Sequence, residues 1–212
     1  MIMDREIEEY IHNISTPEDP VLKELFRQTH LRFVNPNRSC GYIQGHFLEF
    51  IARMIKPAFI LEIGTFTGYS TICLAKGLMS EGEVITIESN DEITEFAGSY
   101  FSKAGVQDRI IQLTGRAQDI IPELEQTFDL VYIDGDKREY SEYYRLVIEK
   151  VNPGGYIIAD NVLWGGKITD NETRDPQTRG IIEFNEMIKN QKNIENHILP
   201  MRDGIMIIKK NK

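Results

Sequence analysis

An α/β fold is predicted, with a mostly parallel seven-stranded sheet, an antiparallel strand at the C-terminus and helices on both faces. Three observations predict it. From Ala58 onward, short apolar runs alternate with segments of helical periodicity, the pattern of βαβ units. The runs are apolar throughout rather than at every second residue, as strands buried on both faces are. The last two runs are separated only by residues 200–204, too few for a parallel crossover, so as neighbours they are antiparallel.

The first third of the chain reads as helical. Residues 4–14 place Ile7, Tyr10, Ile11 and Ile14 at helical spacing, and residues 21–34 repeat the pattern with Val21, Leu22, Leu25, Phe26 and Phe33. A polar stretch, 35–41, follows with Pro36 and Gly41 as breakers, and 45–55 is helical again. The strands are then AFILEI, EVITIE, RIIQLT, FDLVYI, GYIIAD, IENHIL and GIMIIKK. The helices between them are expected over 69–78, 91–103, 117–124, 139–151 and 180–189. The division expected is a single domain: an N-terminal helical extension and lid over residues 1–57, packed on a core over 58–212.

Composition narrows the functional classes. The 212 residues are 41% hydrophobic and 27% charged, which excludes a disordered chain. Two cysteines, Cys40 and Cys73, do not make a disulfide scaffold. The start, MIMDREIEEYIHN, is acidic where a signal peptide is basic and then apolar, and no run is long enough to cross a bilayer, so a cytoplasmic location is expected. A net charge of −9, from 33 acids against 24 bases, argues against a nucleic-acid binder and for a small-molecule partner.

Two constellations carry the chemistry. The first is Leu61-Glu62-Ile63-Gly64-Thr65-Phe66-Thr67-Gly68-Tyr69-Ser70, where the first strand turns into its helix. Glycines 64 and 68 permit a tight turn and close approach of a ligand. A dinucleotide loop would read G-x-G-x-x-G, but Glu62 stands where its first glycine belongs and would repel a diphosphate. A carboxylate there suits an ammonium group, and Glu88, ending the next strand, suits a ribose diol. Ammonium and ribose together describe S-adenosylmethionine. The second constellation lies at the ends of two successive strands: Asp134-Gly135-Asp136-Lys137 and Asp160-Asn161. Asp134, Asp160 and Asn161 make an all-oxygen set suited to Mg²⁺, or to Mn²⁺ or Ca²⁺. Asp136 reads as a turn residue. Four scattered histidines and two cysteines show no zinc spacing.

These motifs in this order resemble the cation-dependent O-methyltransferases, the group of catechol and caffeoyl-CoA O-methyltransferases with a Rossmann-like methyltransferase fold. LEIGTFTGYS is similar to the family's cofactor loop, VITIE to its ribose-binding strand, GRAQDIIPEL to its adenine segment, DGDKREY and DNVLWGG to its metal segments, and LPMRDGIMIIKK to its closing hairpin. The resemblance covers roughly residues 35–210. It implies that Glu62, Gly64 and Ser70 hold the methionine part of the cofactor, and Cys40, Tyr69 and Asp134 are expected among the cofactor-binding residues. Glu88 then holds the ribose, and Ala117 and Gln118 lie near the adenine. It implies metal binding by Asp134, Asp160 and Asn161, a general-base role for Lys137, and closure of residues 38–45 over the ligands. A homodimer is expected.

The implied reaction is divalent-metal-dependent methyl transfer to a hydroxyl of a catechol-like aromatic acceptor. The alternative is methylation of a hydroxylated uridine in tRNA by the same chemistry, with Lys167, Arg174 and Arg179 as a local basic patch. Cys73 reads as core, and Trp164 as a candidate wall of the acceptor pocket. A lysine can take a proton only in its neutral form, and a free lysine titrates near ~10.4, so the base role asks the site to disfavour the ammonium.

Overall fold

The computed structural model describes residues 5–170 and 173–212. The seven strands are β1 Phe59–Ile63, β2 Glu83–Glu88, β3 Ile110–Thr114, β4 Phe128–Ile133, β5 Val151–Asp160, β6 Ile194–Leu199 and β7 Ile205–Lys210. They form one sheet in the order β3-β2-β1-β4-β5-β7-β6. β1–β5 pair in parallel, and β7 is antiparallel to both β5 and β6. The predicted fold class is the observed one.

Among the described residues there are eight α-helices: α1 Arg5–Ile14, α2 Pro20–Arg32, α3 Gly41–Ile55, α4 Tyr69–Gly77, α5 Thr94–Lys103, α6 Ala117–Ile120, α7 Tyr140–Ile148 and α8 Pro176–Lys189. Successive strand residues point to opposite faces, and each face has its own core. Leu61, Ile63, Val131, Ile133 and Ile157 pack with α6, α7 and α8 through Ala117, Tyr144 and Phe184. Ile60, Val84, Leu130, Tyr132 and Ile158 pack with α2–α5 through Leu25, Leu48, Leu74 and Phe101. Helices of the N-terminal extension therefore share a core with the sheet. No helix among the described residues is long and apolar enough to cross a membrane.

Several boundaries differ from the sequence expectation, each for a local reason. α3 begins at Gly41, not at residue 45, because Gly41 takes φ +67 as the chain enters the helix. α8 begins one turn before residue 180: Asp175 caps it by accepting from the amides of Gln177 and Thr178, and Pro176 needs no amide partner there. The helix expected over 117–124 stops at Ile120, ahead of Pro122, and continues as a 3-10 turn, Ile121–Glu123. The segment expected as helix to residue 151 ends at Ile148, and β5 starts at Val151, three residues before Gly154 and Gly155. Residue 4, expected as the start of α1, lies outside the described residues, as does part of the loop 167–179.

Candidate active site

The sheet order reverses beside β1: β2 and β3 lie on one side of it, β4 and β5 on the other. Ligands of open α/β sheets bind outside the carboxyl ends of strands at such a point. A cleft of about 840 Å³ opens there. It is bordered by the ends of four strands: Gly64 after β1, Glu88 of β2, Asp134 after β4, and Asp160 of β5 with Asn161. Lys137, Ala117, Gln118 and Trp164 border it too.

The glycines after β1 serve the expected purpose. Gly64 has φ +101 and Gly68 φ +90, a region that disfavours side chains. A Cβ on Gly64 would overlap the backbone carbonyl of Asp134, so only glycine lets the β1 turn lie against the β4 turn. Glu62, two residues earlier, has the parity that faces α4 and is fully buried. Its Oε2 accepts from the hydroxyls of Thr71 (2.5 Å) and Thr86 (2.6 Å). Its Oε1 is buried without a hydrogen-bond partner. Burial pushes the Glu62 carboxyl up to about 7, against the pull of the Ser70, Thr71 and Thr86 hydroxyls. An acid oxygen buried in this way calls for a donor. Glu88 Oε1 accepts from the Asn90 amide (2.9 Å) and, at 3.4 Å, the Ser89 hydroxyl, whereas Oε2 accepts only from the Phe66 amide (2.8 Å) and keeps a lone pair open. Gln118 carries a second orphan, a buried Nε2.

Asp134 and Asp160 meet because β4 and β5 are parallel neighbours in register, with Ile133 opposite Ala159. Asp160 is 2% exposed. Its Oδ2 accepts from Gln44 Nε2 (2.6 Å) and the Tyr132 hydroxyl (3.0 Å), and its Oδ1 from the Asn161 amide (2.7 Å). Burial raises the Asp134 carboxyl, and the Asp160 charge adds to it, while Lys137 pulls it back. Asn161 is left-handed at φ +58, a conformation that asparagine tolerates, and this turns the chain at the strand end. No group of three or more His, Cys, Asp or Glu side chains is arranged to hold a metal among the described residues. The donor set here is two carboxylates and one amide, which fits a hard divalent cation that keeps positions for water and substrate.

Lys137 is buried at 7% exposure. Its Nζ donates to Asp134 Oδ1 (2.6 Å) and to the Tyr140 hydroxyl (2.8 Å). Tyr140 donates in turn to the Ile133 and Asp160 carbonyls (3.2 and 3.0 Å), so its oxygen faces the ammonium as an acceptor. Asp136 is the turn residue expected: it caps the 3-10 turn Lys137–Glu139 by accepting from the Arg138 amide.

Four residues expected at the cofactor do not border the cleft. Cys40 packs in the apolar cluster of Leu48, Ile72 and Cys73, and burial pushes its thiol up. Tyr69 is buried and donates to Glu18 (2.6 Å). Glu62 and Ser70 stand behind the glycine turn. The stretch 38–45 splits: Arg38 borders the cleft together with Asn37, whereas 41–45 is the first turn of α3, where a Cβ on Gly45 would overlap the Tyr69 ring. Lys167, Arg174 and Arg179 are not among the cleft residues. Gln44, Tyr132, Tyr140 and Arg202 had no individual role in the sequence expectation, although Gln44 lies in the stretch 38–45 and Tyr140 in DGDKREY. Arg202, in the turn between β6 and β7, borders the cleft and donates to Gln44 Oε1 (2.9 Å). A charged residue in the turn of the closing hairpin was the signal available.

Comparison with known proteins agrees with this fold. The sequence model of the O-methyltransferase family matches residues 12–211, a wider span than the motifs alone cover. A catechol O-methyltransferase of Niastella koreensis is 36% identical over 172 residues, covering 79% of this chain and 75% of that protein. A caffeoyl-CoA O-methyltransferase of Populus kitakamiensis is 29% identical over 218 residues, 96% of this chain and 93% of that protein. The solved structure of the O-methyltransferase TomG from Streptomyces achromogenes, in complex with SAM, superposes with a TM-score of 0.93 at 31% identity over all of both chains. With its motifs, its strand order and nearly its whole length matched, the chain belongs to the O-methyltransferase family.

Proposed function

We propose that this enzyme transfers the methyl group of S-adenosylmethionine to a hydroxyl of a catechol-like aromatic acceptor, with a divalent cation at Asp134, Asp160 and Asn161. One observation carries the reading: the acidic pair, Asn161 and Lys137 border the same cleft as Glu88 and the glycine turn. Glu62, behind the glycine turn, is the counter-charge to the cofactor ammonium, and the Glu88 carboxylate at the cleft accepts from the ribose hydroxyls. When bound, the dication supplies a Lewis acid that makes a neighbouring hydroxyl more acidic and fixes its place. In the transfer the methyl–sulfur bond breaks, a methyl–oxygen bond forms, and sulfur leaves as a neutral thioether. The hydroxyl proton goes to the lone pair of Lys137 in its neutral form, which Asp134 and Tyr140 hold at the cleft wall. Trp164 walls the acceptor end of the cleft.

Calorimetry tests the cofactor half. S-adenosylmethionine or its demethylated product is expected to bind and NAD not. Glu88→Ala should weaken binding by about 1–3 kcal/mol, the scale of hydrogen bonds to a charged group. Glu62 titrates near 7 and must be ionised to face an ammonium. Affinity should therefore fall by about tenfold from pH 8 to pH 6, and Glu62→Gln should flatten that dependence. NAD binding in place of the sulfonium compound would refute the reading of this turn.

The chain is proposed to pair with a second copy of itself. Ile7, Tyr10 and Ile14 of α1 are 55–66% exposed, and a ladder of ring contacts runs from His12 through Tyr42 and His46 to the exposed Phe50. Sedimentation should give twice the 24.5 kDa chain mass, and Tyr10→Lys with Phe50→Glu should halve it. A monomer at micromolar concentration would dismiss the pairing.

A further inference from the structure

We infer that Arg202 and Gln44 form a positioning relay that sets the orientation of Asp160 and joins it to the lip of the cleft. The inference rests on the metal-assisted reading above and deepens it.

The relay follows from the donor and acceptor chemistry of three side chains. An arginine only donates, and an ionised carboxylate only accepts. Gln44 lies fully buried between one of each. Its oxygen must then face Arg202 and its nitrogen Asp160, and the distances are 2.9 Å and 2.6 Å. The second amide hydrogen goes to the Tyr132 hydroxyl (3.0 Å), which donates onward to the same Asp160 oxygen (3.0 Å). Asp160 Oδ2 thus receives two donors and is saturated. Oδ1 receives only the Asn161 amide and keeps an open lone pair. The pair Gln44 and Tyr132 thereby decides which oxygen of Asp160 is left for a cation.

Arg202 sets Gln44 and does one thing more. Its guanidinium also donates to the carbonyls of Asn37 (3.3 Å), Ser39 (3.2 Å) and Cys40. Asn37 and Arg38 form a lip of the cleft, and Arg202 borders it from the opposite hairpin. One side chain therefore holds the lip backbone and, through Gln44, the acid. A residue at φ +48 in a hairpin turn keeps that conformation because its surroundings hold it. Arg202 and Gln44 touch none of the reacting atoms, so both are positioning residues.

The test reads metal binding directly. Mn²⁺ and S-adenosylhomocysteine are titrated calorimetrically into the full-length wild type, Gln44→Met, Arg202→Lys, the double variant and Asp160→Asn, with thermal unfolding as the fold check. Methionine keeps nearly the volume of glutamine without its amide. Gln44→Met is expected to weaken Mn²⁺ by about 10–100-fold, the usual effect of removing a group that orients a metal ligand. It should change S-adenosylhomocysteine affinity by less than about threefold. Arg202→Lys should weaken both ligands, because lysine cannot reach four acceptors at once. The double variant should bind Mn²⁺ no worse than Gln44→Met alone, since Arg202 acts on Asp160 through Gln44. Additive losses overturn the relay. A folded Gln44→Met that binds Mn²⁺ like the wild type, while Asp160→Asn does not, overturns the relay and leaves the metal site standing. Mn²⁺ binding unchanged by Asp160→Asn overturns the metal site and the relay with it. Should Gln44→Met not fold, wild-type Mn²⁺ affinity in Arg202→Lys, a change in a half-buried turn, overturns the relay.

Discussion

Lys137→Ala is expected to lower kcat by about 10²–10⁴-fold, the range for removing a positioned base, with cofactor affinity little changed. The Nζ is 2.6 Å from Asp134 and 2.8 Å from the Tyr140 hydroxyl. A neutral amine keeps both partners with its two N–H groups and has one lone pair left for a proton from the cleft that Lys137 borders. If Lys137 takes the acceptor proton, the alanine variant should partly recover at higher pH, where the hydroxyl ionises unaided. It should recover also with acceptors of more acidic hydroxyls. Lys137→Arg should not restore the rate, because a guanidinium keeps its proton. The rival role is electrostatic: holding Asp134 and orienting the acceptor. Arginine would keep the pairing with Asp134, so under that role it retains much of the rate and the pH profile stays in place. A pH–rate comparison of the three proteins decides, and a Lys137→Arg enzyme close to wild type rules out the base.

Turnover of a catechol-type acceptor should stop in EDTA and return with Mg²⁺ or Mn²⁺. The expected loss is on the order of 10²–10⁴-fold, since a Lewis acid contributes several kcal/mol to the barrier. Asp160→Ala should prevent rescue at ordinary metal concentrations. That substitution also strips Gln44 and Tyr132 of a buried acceptor, which costs stability by itself. Asp160→Asn keeps the shape and one acceptor oxygen while removing the charge, so it separates the two effects. It keeps an acceptor for Gln44 and Tyr132 and loses only that of the Asn161 amide, so it should unfold at a higher temperature than Asp160→Ala and still resist rescue. Full activity in chelator would sink the metal-assisted mechanism even if methyl transfer itself were measured.

Most of what the site needs is written locally. Glu62, Gly64 and Gly68 lie within seven residues, Asp134 and Lys137 within four, and Asp160 and Asn161 are adjacent. Each group follows an apolar run, and the carboxyl end of a buried strand is a defined place in a parallel sheet. Two such ends in neighbouring strands are enough to bring Asp134 to Asp160. The polar stretch before α3 was harder to place. Its Gly41 has the composition of a breaker, yet it opens a helix, and Gly45 is needed for packing on Tyr69 rather than for motion. Cys40 shows how proximity in sequence misleads. It is two residues from Arg38 at the cleft, but its own thiol turns into the core.

The amino-acid sequence by itself determined the sheet, its antiparallel end, the glycine turn and the acids at the strand ends, because periodicity and short motifs act over a few residues. Only the tertiary structure decided which oxygen of Asp160 is left open and what holds the lip of the cleft. Gln44 reaches Asp160 across 116 residues, and Arg202 reaches Cys40 across 162. No local pattern encodes such a contact: it exists because β7 pairs with β5 and carries its turn back over the start of α3. The buried amide between them has a single satisfied orientation once the arginine and the carboxylate are in place, and that orientation is a property of the packed chain.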